Sequence, residues 1–217
     1  MLVSAHDVTA RIVAERATEA ALARVKTTLL ATADAVSRIV ELRDPYTAGH
    51  ERRVAMLSAD IGRALALDPD RVEGLRVAGF LHDLGKITVP AEILTKPGRL
   101  SAIEMEIIRM HPERGFEVLR SIDFPWPVAE VAHQHHERMD GSGYPRGLHG
   151  PEILLEARIV AVADVVESMA SDRPYRPGLG LVAALAEIEK NAGRLYDPQV
   201  SATCLRLFRE DGYRLPT

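Results

Sequence analysis

Seven side chains in this sequence have the types and the intervals of a polynuclear metal centre: His50, His82, Asp83, His111, His135, His136 and Asp164. Imidazoles and carboxylates with no thiolate among them suit iron, manganese or zinc. From His50 through His82, His111 and His135 to Asp164 the intervals are 32, 29, 24 and 29 residues, each about one helix and its connection. In an antiparallel bundle such intervals bring every ligand back to one level of the core. The set exceeds what one ion needs. Two ions sharing Asp83 would clamp a bridging hydroxide for in-line attack on phosphorus, because bound water ionises near pH ~7.

The immediate context of each residue sharpens this reading. Asp164 lies in Ile159-Val-Ala-Val-Ala-Asp164-Val-Val, apolar nearly all round a helix. An isolated buried charge there is too costly to leave unpaired. An arginine partner is one solution, and a cation accounts for it better with so many histidines at hand. His82-Asp83 ends a run of core-like residues and is followed by Leu84-Gly85-Lys86. Gly85 is expected to permit a tight turn, and Lys86 to aim its ammonium at a ligand of the centre. His111 precedes Pro112 and also fits a solvent-exposed helix end. His135 and His136 are adjacent, uncommon on one helix without a function. His133 is expected at the surface or behind the ligands; His6 and His149 fit no interval and are read as structural. Arg173 and Arg176, three apart in Ser171-Asp-Arg-Pro-Tyr-Arg176, could fork onto phosphate oxygens. Taken alone, that segment also reads as a charged loop after a helix.

The elements that must position these groups are helices. Asp44-Pro45, Asp68-Pro69 and Asp197-Pro198 each place an N-cap before a proline at the first helical position. Ser101 and Glu104 form a capping box, and Gly193 suits a C-cap. The pattern predicts helices over 8–43, 46–66, 70–84, 102–110, 113–121, 127–137, 152–171, 180–192 and 198–211. Loops are predicted at 96–99 and 141–151. No period-2 alternation longer than four residues appears, so the fold class is all-α. Residues 1–43 read as an N-terminal helix with an apolar stripe (Ile12, Leu22, Val25, Leu29, Val36, Ile39, Val40), suited to packing, or to dimerisation and signalling. Residues 44–217 read as the domain carrying the centre.

Composition bounds the rest. The 217 residues, 47% hydrophobic and 27% charged, suit one folded domain with a helical extension. No apolar run approaches the ~18 residues of a membrane span, and the N-terminus lacks a signal-peptide pattern. A single cysteine, Cys204, excludes an internal disulfide and makes a reducing cytoplasm the expected compartment. A net charge of −4 argues against a general binder of nucleic-acid polymers.

The segments Asp44-Pro-Tyr-Thr-Ala-Gly-His50, His82-Asp-Leu-Gly-Lys86, His135-His-Glu-Arg-Met-Asp-Gly-Ser-Gly-Tyr-Pro145, Ala163-Asp164 and Ser171-Asp-Arg-Pro-Tyr-Arg176 together resemble an HD-GYP domain. That family is the branch of the HD superfamily whose members hydrolyse cyclic di-GMP. The resemblance runs from about Asp44 to Val200. It implies a helical HD core with additional helices, and a metal centre usually of iron or manganese, with zinc, nickel or magnesium as alternatives. His50, His82, Asp83, His111, His135 and Asp164 match the ligands of two metals, and His136 a position that serves a third where one exists. Lys86 matches the lysine on the scissile phosphate, and Asp83 and Lys86 the catalytic pair. Arg173 and Arg176 match basic positions that hold phosphates, and Gly143-Tyr144-Pro145 is the signature loop of the substrate site. Tyr46 stands where three-metal members carry a Glu, so two metals are expected. Met139 replaces a frequent aromatic.

The implied reaction is attack of a metal-bridging hydroxide on one phosphodiester of cyclic di-GMP, giving pGpG and, by slower cleavage, GMP. Two alternatives remain. One is a module that binds cyclic di-GMP, or a GGDEF-type diguanylate cyclase, without turnover. The other is a phosphodiesterase for a related dinucleotide such as 3′,3′-cyclic GMP-AMP. A homodimer through the N-terminal helix is a further expectation.

Overall fold

The N-terminal helix, α1 (Val3–Glu41), lies half on and half off the body of the protein. In this computed structural model residues 3–43, 49–171 and 178–216 are described, with side chains from residue 10 onward. Residues 10–25 of α1 are exposed throughout. From Lys26, which pairs with Asp70 at 2.6 Å, the helix rests on the bundle and buries Ala33, Ser37 and Val40. Leu29 and Val36 pack there too, whereas Ile12, Leu22, Val25 and Ile39 of the apolar stripe face outward.

The body is built from α2 (His50–Ala64), α3 (Pro69–Leu81), the short α4 (Ala91–Leu94), α5 (Ala102–Arg109), α6 (His111–Leu119), α7 (Val128–Gln134), α8 (Leu155–Ala170), α9 (Leu181–Asn191) and α10 (Pro198–Arg209). No strand occurs among the described residues. Local chemistry sets several of these ends. Asp68 accepts the amide of Asp70, Asp197 accepts those of Gln199 and Val200, and Ser101 and Glu104 close a reciprocal cap. Asp44-Pro45 lies outside the described residues. Gly193, at φ 78°, follows the end of α9 in the left-handed region that stops a helix.

Helix α8 is the axis of the larger core. Ile159, Val160, Val162, Ala163 and Val166 meet Val54, Leu57 and Ile61 of α2, Leu75 of α3, Ala184 and Ile188 of α9, and Val200 and Cys204 of α10. A second cluster joins α1, α3 and α7 through Ala33, Val77, Phe80, Leu81, Val128 and Ala132. Together these fix α2, α3, α7 and α8 side by side. The helices that carry the candidate ligands are therefore held by apolar packing that does not involve the ligands.

The short α4 is not among the expected helices, and of the helix ends that differ from expectation three matter for the site. Helix α3 stops at Leu81 rather than residue 84, making His82 its C-cap and putting Asp83 in the following turn. Helix α7 stops at Gln134 rather than residue 137, so His135 is its C-cap and His136 lies beyond it. Helix α6 starts at His111 rather than residue 113, with Pro112 in the first turn, where its missing N–H costs nothing.

Candidate metal centre

Three of the histidines are held in the same local way. His82, His111 and His135 each stand at or just past a helix end, and each ring Nδ1 contacts the carbonyl three residues back: Gly79 at 2.7 Å, Ile108 at 2.8 Å and Ala132 at 2.8 Å. Carbonyls in the last turn of a helix have no continuing amide to accept, although that of Ile108 also takes a backbone N–H at the end of α5. The contact therefore requires Nδ1–H as donor, which fixes the tautomer and leaves the Nε2 lone pair directed inward. His50, at the start of α2, is oriented by a carboxylate instead. Its Nδ1 donates to Glu167, which also accepts from Arg53 Nε at 2.7 Å and Ser171 Oγ.

The inward nitrogens converge on Asp83. Oδ1 lies 3.1 Å from His111 Nε2 and 3.7 Å from His135 Nε2. Oδ2 lies 3.4 Å from His82 Nε2 and 3.9 Å from His50 Nε2, and accepts a hydrogen bond from Lys86 Nζ at 2.5 Å. Two groups of metal-ligand size result, one of Asp83, His111, His135 and His136, the other of His50, His82 and Asp83. Asp83 belongs to both, one oxygen toward each. Asp164 lies outside both groups but beside the second, with Oδ1 3.3 Å from His50 Nε2 and accepting from Ser168 Oγ. Among the described residues its ion-pair partner is His50, not the arginine considered from sequence.

These residues fit divalent cations on a test independent of any family. His111 Nε2 and His135 Nε2 face each other at 3.3 Å, although both rings already spend their proton on a carbonyl. Two lone pairs at that distance repel unless a positive charge lies between or beside them. His82 Nε2 and Asp83 Oδ1 are likewise buried without a hydrogen bond. Buried acceptors without donors are rare in native proteins, and an ion that the side chains await is one cause.

The electrostatics agree. Burial lowers His82 to about 4, and burial also lowers His135 and His136, so these imidazoles stay neutral and able to coordinate. Burial works to raise Asp83 and Asp164, yet both are held well below the usual carboxylate range, Asp83 by Lys86 and the surrounding histidines and Asp164 chiefly by His50. His50 is the exception. Burial opposes its charge, but hydrogen bonds to Asp164 and Glu167 overcome this and raise it to about 10. Without a metal it is an imidazolium between two carboxylates. Lys86 is kept protonated, Asp83 outweighing burial.

The signature loop leans over the first group. Tyr144 stacks on the His136 ring with centroids 4.7 Å apart, and the Arg109 guanidinium lies over the tyrosine ring, 5.5 Å from its centroid. The loop is tied down by Glu137, whose buried carboxylate accepts from Arg146 N at 2.8 Å and Leu148 N at 3.0 Å. A Cβ on Gly143 would fall 2.4 Å from the Glu137 Cα, so a side chain there would lift the loop away. Pro145 is exposed. Gly85 serves by close approach rather than by the expected freedom to turn: a Cβ there would sit 1.9 Å from the His111 carbonyl oxygen. It presses the turn carrying Asp83 and Lys86 against the start of α6.

Other expectations fare differently. His133 is buried rather than at the surface, stacking on Phe116 and meeting Glu113 at 2.7 Å. His149 is exposed in the loop, and the His6 side chain is outside the described residues. Arg173, Arg176 and Tyr46 also lie outside the described residues. Sequence reasoning misses three buried carboxylates: Glu137, Glu167 and Glu51. Glu51, next to His50 and 1% exposed, has no hydrogen-bond partner at either oxygen among the described residues, and burial raises it to about 9.

A family model described as HD domain matches residues 34–200. The chain belongs to the HD domain family. This HD domain is 43% identical over 183 residues to a cyclic di-GMP phosphodiesterase of Thermotoga maritima, covering 82% of the chain and 50% of that protein. It is 39% identical over 186 residues to 3′3′-cGAMP-specific phosphodiesterase 3 of Vibrio cholerae, covering 84% and 40%. The chain thus spans about half the length, or less, of these curated relatives. Among solved structures it resembles Bd1817, an HDG"Y"P protein from Bdellovibrio bacteriovorus, with TM-score 0.63 and 18% identity over 85% of this chain and 64% of that one. That likeness concerns the fold alone. No described helix is long and apolar enough to cross a membrane.

Proposed function

We propose that this HD domain is a metal-dependent phosphodiesterase that hydrolyses cyclic di-GMP to pGpG, with slower cleavage to GMP. The observation that carries the reading is the sharing of Asp83: its two oxygens face two groups of metal-ligand size. Paired cations that close suit in-line displacement at phosphorus. In this reading His50, His82, Asp83, His111, His135, His136 and Asp164 hold two divalent ions, iron or manganese first, with zinc, nickel or magnesium as alternatives. The bound ions supply an activated water and offset charge that grows on the phosphoryl oxygens.

The chain's own groups do the remaining work. Asp83 places both sites at one carboxylate. Lys86 brings an ammonium to the same point and binds the scissile phosphate, while Arg173 and Arg176 hold phosphate oxygens. Tyr144, fixed by its stack on His136, lines the approach with Gly143 and Pro145 and restricts water. Residues 1–43 serve as an extension for signal input or homodimerisation, and a GGDEF-type diguanylate cyclase is a candidate partner of the domain at 44–217. The relatives support a cyclic dinucleotide as substrate, cyclic di-GMP for one and 3′,3′-cGAMP for the other. The second substrate is therefore kept as the alternative reading, because the ligand set addresses phosphate and not the base.

The test is anaerobic purification, metal analysis and incubation with each dinucleotide, with products separated by chromatography. His82→Ala and Asp83→Ala are expected to lose metal and turnover together. Full metal content with full activity in either variant would refute the ligand assignment.

A further inference from the structure

Lys86 and a metal ion want the same oxygen. The ammonium donates to Asp83 Oδ2, the oxygen that also faces His82 Nε2 at 3.4 Å and His50 Nε2 at 3.9 Å. A divalent cation held by those three groups would sit against the ammonium, and the repulsion between the two positive charges would favour moving the lysine off that oxygen. Something must receive Lys86 once it is displaced. Its side chain is largely buried, so water does not solvate it freely.

One group nearby is left over. Glu51 follows His50 on α2, is almost fully buried, and has both oxygens without a hydrogen bond among the described residues. The side chain it meets, Glu41, is another carboxyl and already accepts the amide of Gly49 at 2.8 Å. The end of α1 also reaches the turn that carries Lys86, where Arg43 donates to the Ile87 carbonyl at 2.9 Å. Glu51, Glu41 and Lys86 thus share one corner of the structure, Glu51 following directly on His50, whose ring lies 3.9 Å from the Asp83 oxygen that Lys86 holds. A buried carboxyl with no donor is a standing cost, and an arriving ammonium would relieve it.

We propose that Glu51 is a positioning residue that receives Lys86 when a cation takes Asp83 Oδ2, holding the ammonium beside the centre where a phosphate oxygen arrives. This rests on the metal-dependent reading given above. It makes metal loading and the placement of the lysine a single event. In the metal-free protein Lys86 closes on Asp83 and fills the second site; in the loaded protein it turns to Glu51 and faces substrate. The exchange is one of hydrogen bonds: the ammonium leaves Asp83 Oδ2 and donates to a Glu51 oxygen.

The test is a double-mutant cycle read by metal affinity rather than activity. Full-length chains stripped with chelator are titrated with Mn²⁺ by calorimetry: wild type, Lys86→Met, Glu51→Gln and the double variant. Removing the competitor in Lys86→Met is expected to tighten Mn²⁺ binding about tenfold. Glu51→Gln keeps one acceptor oxygen but replaces the other with an NH2 that cannot receive the ammonium, and is expected to weaken Mn²⁺ binding about tenfold; the double variant is expected to match Lys86→Met. An equal loss from Glu51→Gln in both backgrounds, or no loss in either, would overturn the role of Glu51. Thermal melts of the metal-free chains accompany the cycle, and Glu51→Leu replaces Glu51→Gln if the latter fails to fold. Absence of any Mn²⁺ binding by wild type would remove the metal reading and this step with it, whereas an additive cycle removes this step alone.

Discussion

Replacing Glu137 by glutamine separates the signature loop from the metal groups beneath it. The Glu137 carboxylate receives two backbone amides from the far side of the loop, Arg146 N on Oε1 and Leu148 N on Oε2. Hydrogen bonds to a charged acceptor contribute about 1.5–3 kcal/mol each. In Glu137→Gln the side-chain amide accepts one of these N–H groups and turns its own NH2 toward the other, so one bond is lost and a donor meets a donor. Because the loop residues are partly exposed, water restores some of that loss, and about 1.5–3 kcal/mol is the expected destabilisation. For a chain of this size that lowers Tm by roughly 3–12 °C. The candidate ligands of the two groups lie at the starts of α2 and α6 and just past the ends of α3 and α7, so Mn²⁺ content is expected to stay near the wild-type value. Hydrogen exchange over residues 141–150 should accelerate, and Tyr144 should lose its stack on His136. Thermal denaturation, metal analysis and exchange mass spectrometry read these three quantities. A variant as stable as wild type with unchanged exchange in the loop would show that Glu137 does not anchor it.

Glu167→Gln removes the carboxylate that orients His50 and is expected to weaken Mn²⁺ binding about 10–100-fold, the usual cost of losing such an outer partner; loss of binding at the His111 group instead would contradict the assignment. Since His50 is raised to about 10 while His82 and His135 are lowered, metal binding at the His50 side must expel one proton from Nε2. The sign follows: affinity there should rise as pH rises, up to about tenfold per unit, until His50 loses its proton near pH about 10. Calorimetry in buffers of different ionisation enthalpy counts that proton, and a pH-independent signal would argue against the imidazolium. Gly85→Ala pushes a methyl into the His111 carbonyl and is expected to cost about 1–3 kcal/mol, read by urea denaturation, with loss of metal as His111 shifts. Unchanged stability would mean that the turn has room the geometry does not show.

The candidate ligands are legible in the sequence because a bundle constrains them twice, by residue type and by interval. His50, His82, Asp83, His111 and His135 do converge, and Asp164 adjoins them through His50. The caps at Asp68, Asp197 and Ser101 are legible for a similar reason, each being a local interaction within four residues. The missed carboxylates have no such mark. Glu51, Glu137 and Glu167 sit at positions where a glutamate ordinarily faces water, and only tertiary packing buries them. Glu167 carries one faint signal, its place one turn after Asp164 on the same face of an apolar helix. The role of Gly85 escapes a sequence reading because close approach between the turn and α6 depends on elements far apart in the chain. The shortened α3 and α7 escape it too, since histidine itself supplies the cap there, and imidazole is no strong helix breaker.

The way three imidazoles hang from carbonyls in the last turn of the helix that precedes each has a mechanical consequence. Each ring is aimed only while the final turn behind it keeps its shape, so fraying by a single turn swings the nitrogen off target. Reciprocally, ions gripped by those nitrogens would stitch the ends of α3, α5 and α7 closed, and their binding energy would become local folding energy. Loss of the ions should therefore be felt first as unravelling at three separated points of the chain, with the oily interior around α8 still intact.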